Sequence, residues 1–438
     1  MDHARGREEG PSAGGFPPRP RAARADRRSA QDRRVPGRGL RPGNTMSLAL
    51  PLEATAGDAR ALAYDVAIAE DWATVEDLWR PLMEAGVASP FQDGAWLRTW
   101  YATLGACPHV TPLLVTVREA GTGRIALALP WVLERAGGLR VVGFADGGIT
   151  DYNAALLGPA APSGPGAWAG IAKAVRAALP PADLLRLTKL VGPVAGWPGA
   201  VPTSLNGNLI RIDGPWEAFQ RGLQRTFRKE IERSGRVFAR HDGAAFRQIH
   251  DRTEGAAILD ALERLQRGRI ADLGLPYVLD DPAIARHYRI LVERGLHDGS
   301  VVLTALTAGH EVVGALLGLR TGEHYAMVRL AAAGGEWRNA SPGRLLIART
   351  MEHLHGQGAR TFDFTIGDYE YKRRFGVVSV PLAGVLAPLS ARGLVPWGVE
   401  GARRVARTQP WIVALRRRLS AAGTKPGPAA PLPGGEDG

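Results

Sequence analysis

The segment Thr361–Gly376, Thr-Phe-Asp-Phe-Thr-Ile-Gly-Asp-Tyr-Glu-Tyr-Lys-Arg-Arg-Phe-Gly, constrains the fold of this chain more than any other. Phe362, Phe364 and Ile366 alternate with Asp363, Thr365 and Gly367, the period-two pattern of a strand with unlike surroundings on its two faces. The strand runs into Asp368, Tyr369, Tyr371, Lys372 and Arg374, which place a carboxylate, two phenols and two cations within seven positions. That is more polar equipment than a solvent turn usually carries, so the strand end is a candidate place to hold a reactive group. A plain strand with a charged turn after it gives the same string, and that alternative stays open here.

Upstream, Glu323–Ala331 reads as another strand, followed by an Ala/Gly-rich loop and Asn-Ala-Ser-Pro-Gly at Asn339–Gly343. Ser341 is expected to be an N-cap and Pro342 the first helical residue, with Leu345, Leu346, Ala348, Arg349, Met351, Glu352 and Leu354 at helical spacing until Gly356 and Gly358. Free N–H groups at such a helix start favour a phosphate or pyrophosphate. An ordinary capped helix has the same signature.

Taken in order, the strand, the Ser-Pro-Gly helix start, Gly358, Asp363-Phe364, Gly367-Asp368 and Tyr371-Lys372 resemble the GNAT superfamily of acyltransferases. The resemblance is nearest to the CelD/BcsL cellulose-biosynthesis branch, which is similar in turn to the Fem peptidoglycan aminoacyltransferases. It implies that Ser341, Pro342, Gly343 and Arg344 cradle the pyrophosphate of acyl-CoA. It also implies that Tyr371-Lys372-Arg373-Arg374-Phe375-Gly376, which matches the Fem aromatic-Lys-x-x-Phe-Gly segment, lines the acyl-transfer site. Arg225–Arg233, containing Lys229, is similar to the basic helix that opens the second domain of both branches, although a solvated helix face reads the same way. Leu262–Gly274 looks like the family's helix before the central sheet, and Val301–Leu306 and Glu311–Leu319 read as a hairpin.

In the first half, Phe91–Trp100 reads as one helix with aromatic anchors. Thr111–Val117 and Ile125–Leu133 read as strands around a Gly-Thr-Gly turn. Leu139–Gly148 follows, then Ile149–Asn153, a loop similar to a Ser-Asp-Tyr-like loop of the CelD branch. Its Asp151 and Tyr152 are candidates to touch an acceptor, or simply a turn with a packing aromatic. With a helix at Ala167–Leu179 and a strand at Leu184–Leu190, the order echoes the second half. The expected fold is therefore α/β with a mixed sheet, in tandem GNAT-like domains of which the first is degenerate. A leader at 1–45, domains at 46–207 and 208–390, and a basic helix with a tail at 391–438 complete the division.

Of the formal net charge of +12, about six units precede Met46 and about five follow Ser390, leaving a body close to neutral and no platform for DNA. The leader is rich in Arg, Pro and Gly and poor in large apolar residues, so it is expected to be disordered, with Met46 a candidate start. Arginine outnumbers lysine about tenfold, which makes Lys372, a compact and tunable ammonium, a better candidate than its arginine neighbours for stabilising an acyl oxygen. The lone Cys107 fits a reducing cytoplasm. His353 and His355 stand two apart on a helix, on different faces, and no metal is expected. Trp411–Leu419, flanked by arginines, reads as a docking last helix or a membrane-surface segment.

The reading is an acyl-CoA-dependent acyltransferase acting on an amine or hydroxyl of a sugar or cell-envelope precursor. The protein is expected in the cytoplasm, at most peripheral to the membrane, with polysaccharide-synthesis proteins as candidate partners. Lys372 stabilises the oxyanion, Asp368 or Tyr369 relays the acceptor proton, Tyr371 lines the site, and Asp151, Tyr152, Lys229, Asp363 and Arg374 contact substrate. Two alternatives remain: a Fem-like transferase using aminoacyl-tRNA, and a catalytically silent scaffold of a polysaccharide-synthesis complex.

Overall fold

The structure, a computed structural model, describes residues 63–408 apart from 273. The expected leader, Met46 and Trp411–Leu419 lie outside the described residues.

The first half runs β1 (Tyr64–Ala69), α1 (Trp72–Glu84), α2 (Gly94–Thr103), β2 (Val110–Glu119), β3 (Ile125–Ala136), β4 (Leu139–Phe144), the short β5 (Leu156–Leu157), α3 (Gly164–Ala178) and β6 (Leu184–Leu190). A connecting segment follows, with β7 (Val201–Arg211), α4 (Trp216–Gly222) and α5 (Arg225–Phe238). The second half repeats the plan with β8 (Ala245–Ile249), α6 (Arg252–Asp272), α7 (Pro282–Asp298), β9 (Val301–Ala308), β10 (Glu311–Thr321), β11 (His324–Ala332), α8 (Pro342–Gly356) and β12 (Thr361–Asp363). The chain continues through α9 (Glu370–Arg374), β13 (Val378–Pro388) and α10 (Leu394–Thr408).

All strands except β5 lie along one path, β1-β2-β3-β4-β6-β13-β7-β12-β11-β10-β9-β8, which reads the same from either end once the halves are equated. The pairs β4–β6 and β11–β12 are parallel and the other pairs antiparallel, as the crossover helices α3 and α8 require. The two central strands are exchanged. β7, which follows the first half in sequence, pairs with β12 of the second, whereas β13, which follows the second, pairs with β6 of the first. β7 and β13 then pair with each other. Position 207/208 therefore lies inside a strand of a continuous sheet.

One face of the sheet is covered by α1 and α2 together with α6 and α7 in a core shared by both halves. There Trp96 of α2 meets His287 of α7 edge-on, with ring centroids 4.6 Å apart. The opposite face carries two separate cores, one under α3 and one under α5 and α8. Trp79, Trp96, Trp100 and Trp131 are fully buried, and side chains of this size dominate the burial energy of such layers.

Two expected elements differ. Phe91–Trp100 is not one helix: a single 3₁₀ turn ends at Gln92, and Asp93, in extended conformation, accepts from Ala95 N at 2.9 Å to cap α2. The strand expected through Gly367 ends at Asp363. Thr365 lies in left-handed conformation at φ +58°, and its N–H goes to Asp363 Oδ1 at 2.7 Å instead of to a neighbouring strand.

Candidate active site

β11 and β12 stay paired only over His324–Ala326 and Thr361–Asp363. Beyond that, β11 runs on to Ala332 while the chain after Asp363 leans toward β7. Phe364 N donates to Asn208 O at 2.7 Å, and Asn208 Nδ2 donates to Thr365 O and Gly367 O at 3.0 and 2.8 Å. An extra residue, Val328, bulges β11 opposite Leu317 and Gly318, a device common beside active sites. The gap between the diverging strands is a cavity of about 530 Å³, and Asp151, Gln266, Tyr277, Arg329, Tyr369 and Lys372 are among its lining residues.

Lys372, on α9, is 3 % exposed and donates from Nζ to Ile366 O at 2.7 Å and to Thr365 O at 3.3 Å. Removal from water pushes its pKa down to about 8, against the pull of Asp151, Asp363 and Asp368. Tyr371 also lines the cavity. Burial pushes its phenol up to about 12, and its ring stacks on the half-exposed Tyr369 with centroids 6.0 Å apart.

The facing wall comes from the other half. Burial raises the Asp151 carboxyl to about 6, although a hydrogen bond from Thr365 and the charges of Lys189 and Lys372 oppose it. Beside it, Tyr152 is buried and donates from its hydroxyl to Asp363 Oδ1 at 2.8 Å. This loop is braced by Lys189, which donates to Asp146 Oδ1 at 2.8 Å and Thr150 O at 2.6 Å, and by Asn153, which donates to Asp146 Oδ2 at 2.9 Å. The same loop fills the first half's own strand splay. β4 and β6 pair only at Val141 and Val142 with Leu184 and Leu185, after which Asn153 N bonds Lys189 O and Val191 N bonds Asn153 O.

The other expected residues fall elsewhere. Asp368 faces solvent, 67 % exposed, in a two-pronged pair with Arg373 at 2.5 and 2.9 Å that lowers its pKa, and it does not line the cavity. Asp363 is buried behind the cavity wall, and Lys229 is exposed on α5. Arg374 bonds Glu230 at 2.8 Å and lies over the Phe227 ring, and Arg344 reaches the same Glu230, so both guanidinium groups are committed to α5. Ser341 does not cap α8: it sits at φ +44°, ψ +57°, and no hydrogen bond from the helix reaches its hydroxyl. Its carbonyl accepts from Leu345 N at 3.1 Å, and the N–H groups of Gly343 and Arg344 have no protein partner among the described residues. This helix start abuts the cavity, since a Cβ on Gly343 would lie 3.7 Å from the Cβ of the lining residue Ala332.

Sequence reasoning missed Arg329, 6 % exposed, which donates to Gln266 Oε1 at 2.6 and 3.0 Å and to Tyr277 Oη at 2.8 Å. A cation inside the apolar run Met-Val-Arg-Leu-Ala was the available signal. Asn208 and His324 carried none.

The splay of two parallel strands thus holds a cavity that a buried lysine lines and a helix start with free N–H groups adjoins. Residues 225–373 match the acetyltransferase (GNAT) domain family. No curated protein matches the sequence. Among solved structures, FemX superposes with a TM-score of 0.50 at 10 % identity, covering 71 % of this chain and 94 % of its own. A tandem GNAT protein from the clavulanic acid biosynthesis pathway gives a TM-score of 0.42 at 14 % identity, covering 75 % and 99 %. The C-terminal domain of a putative lysylphosphatidylglycerol synthetase from Agrobacterium fabrum gives 0.45 at 13 %, covering 75 % and 96 %. Residues 225–373 thus match a GNAT acetyltransferase domain, and they lie within a mixed α/β sheet whose two halves repeat one plan.

Proposed function

We propose that the protein transfers an acyl group from acyl-CoA to an amine or hydroxyl of a sugar or cell-envelope precursor, as the resemblance to the CelD/BcsL branch suggests. One observation carries the chemistry: Asp151 from the first half and Lys372 from the second line one cavity beside a helix start with two free N–H groups. The pyrophosphate sits on the Gly343 and Arg344 amides, and the thioester lies in the strand splay. Asp151 takes the proton of the acceptor amine, replacing Asp368, whose pair with Arg373 in solvent leaves it no path to the cavity. The amine nitrogen bonds to the carbonyl carbon, and Lys372 in its protonated form holds the oxyanion. The carbon–sulfur bond then breaks, CoA leaves as its thiolate, and the proton on Asp151 returns to solvent.

Among the described residues no helix is long and apolar enough to cross a membrane. Peripheral contact with the cytoplasmic membrane face is supported by Leu394, Val395, Trp397 and Val399, all exposed at the start of α10.

Calorimetry of the full chain with acetyl-CoA, longer acyl-CoAs and free CoA, repeated with Ser341→Glu, tests the donor. Binding abolished by the added carboxylate supports the assignment. No binding to any CoA overturns it and puts aminoacyl-tRNA or a scaffold role first.

A further inference from the structure

We propose that Asp363 is the positioning residue that joins the first half's Asp151–Tyr152 loop to Lys372, so that the site is set only when both halves meet on one carboxylate. Asp363 ends β12 where the splay begins, is 2 % exposed and does not line the cavity. Its Oδ1 accepts from Tyr152 Oη at 2.8 Å and from Thr365 N at 2.7 Å, while Oδ2 faces His324 Nε2 at 3.4 Å. The Thr365 bond turns the chain into its left-handed conformation, and that turn aims the Thr365 and Ile366 carbonyls at Lys372 Nζ. One oxygen of Asp363 thus lies one hydrogen bond from the residue beside Asp151 and one backbone residue from the anchors of the lysine.

The charges around these groups make the idea testable. The charges of Asp151, Asp363 and, from outside the cavity, Asp368 act on Lys372, with the Tyr369 ring 5.2 Å from Nζ and Tyr371 next in sequence. Tyr152, His324, Asp151 and Lys372 face Asp363. Asparagine at 363 keeps the shape and one acceptor but removes one of three negative charges that hold the lysine's proton, so Lys372 loses that proton at lower pH.

The inference rests on the proposed role of Lys372 as a cation, and the experiment separates the two. In the full chain, Lys372 is labelled with a small amine-acylating reagent across a pH series and quantified by peptide mass spectrometry. Turnover is measured in parallel with acetyl-CoA and hydroxylamine as surrogate acceptor. Asp363→Asn is expected to move the labelling midpoint down by about one pH unit and to lower kcat about tenfold or more, with the KM for acetyl-CoA unchanged. Tyr152→Phe, which keeps the carboxylate, is expected to lower kcat without moving the midpoint. It serves as the second variant if Asp363→Asn does not fold. An unmoved midpoint in Asp363→Asn, or wild-type kcat in Tyr152→Phe, overturns the proposal. If the wild type shows no transfer, the labelling shift still decides the role of Asp363 and the transferase reading alone fails.

Discussion

Adding a single methyl group at Gly207 should separate Tyr152 from Asp363. A Cβ there would lie 2.4 Å from Tyr152 Oη and 2.8–2.9 Å from two ring carbons. Neither side can yield cheaply. The Tyr152 ring is buried and bonded, and the β7 backbone is held by β13 through Gly207–Val380 and by β12 through Leu209–Asp363. Overpacking costs about 1–3 kcal/mol, and loss of a hydrogen bond to a charged group about 1.5–3 kcal/mol. Gly207→Ala should therefore lose about 2.5–6 kcal/mol in urea denaturation. Because the clash needs the ring, the same substitution in a Tyr152→Ala background should cost about 2 kcal/mol less or better, a coupling a double-mutant cycle resolves. Additive costs within about 0.5 kcal/mol would refute the reasoning.

Turnover should be bell-shaped in pH. It rises near 6 as Asp151 ionises and falls near 8 as Lys372 loses its proton, and a profile flat from 5 to 9 would exclude this acid–base pair. Lys372→Ala should lower kcat about 10²–10³-fold with acyl-CoA affinity unchanged in calorimetry, and retained turnover would end its oxyanion role. Asp368→Asn, in contrast, should leave kcat within about twofold, its carboxylate being paired in solvent. Asp151→Asn should abolish transfer yet stabilise the fold. A carboxyl whose folded pKa is raised from 3.8 to about 6 costs stability in full above pH 6 and regains it as pH falls toward 3.8, so the gain in urea midpoint should be present at pH 8 and absent at pH 3.5.

Local pattern made much of the second half legible. The hairpin of β9 and β10, the strand β11 and the helix α8 all lie within a few residues of expectation, because each depends on periodicity and turn chemistry. Three features had no local cause to read. The exchange of β7 and β13 depends on pairings between distant segments, and Thr203 Oγ1 to Leu382 O at 3.0 Å joins residues far apart in the chain. Thr365 continues an alternating string and leaves strand geometry only because Asp363 and Asn208 capture its N–H and C=O. Asp368 lies near Lys372 in sequence, yet the fold turns it outward and brings Asp151 to the lysine from the other half.

The crossed central strands also set an order of events during synthesis. When Leu184–Leu190 leaves the ribosome, the strand that covers its open edge, Val378–Pro388, has yet to be translated, and the next strand made, Val201–Arg211, is destined for the far half. The nascent first half must wait with a bare strand edge until Val378–Pro388 has emerged, the exposure that invites pairing with a neighbouring nascent chain. Completion of both halves of the sheet is thus tied to Val378–Pro388, and a polypeptide arrested before Val378 leaves its first half unfinished as surely as its second.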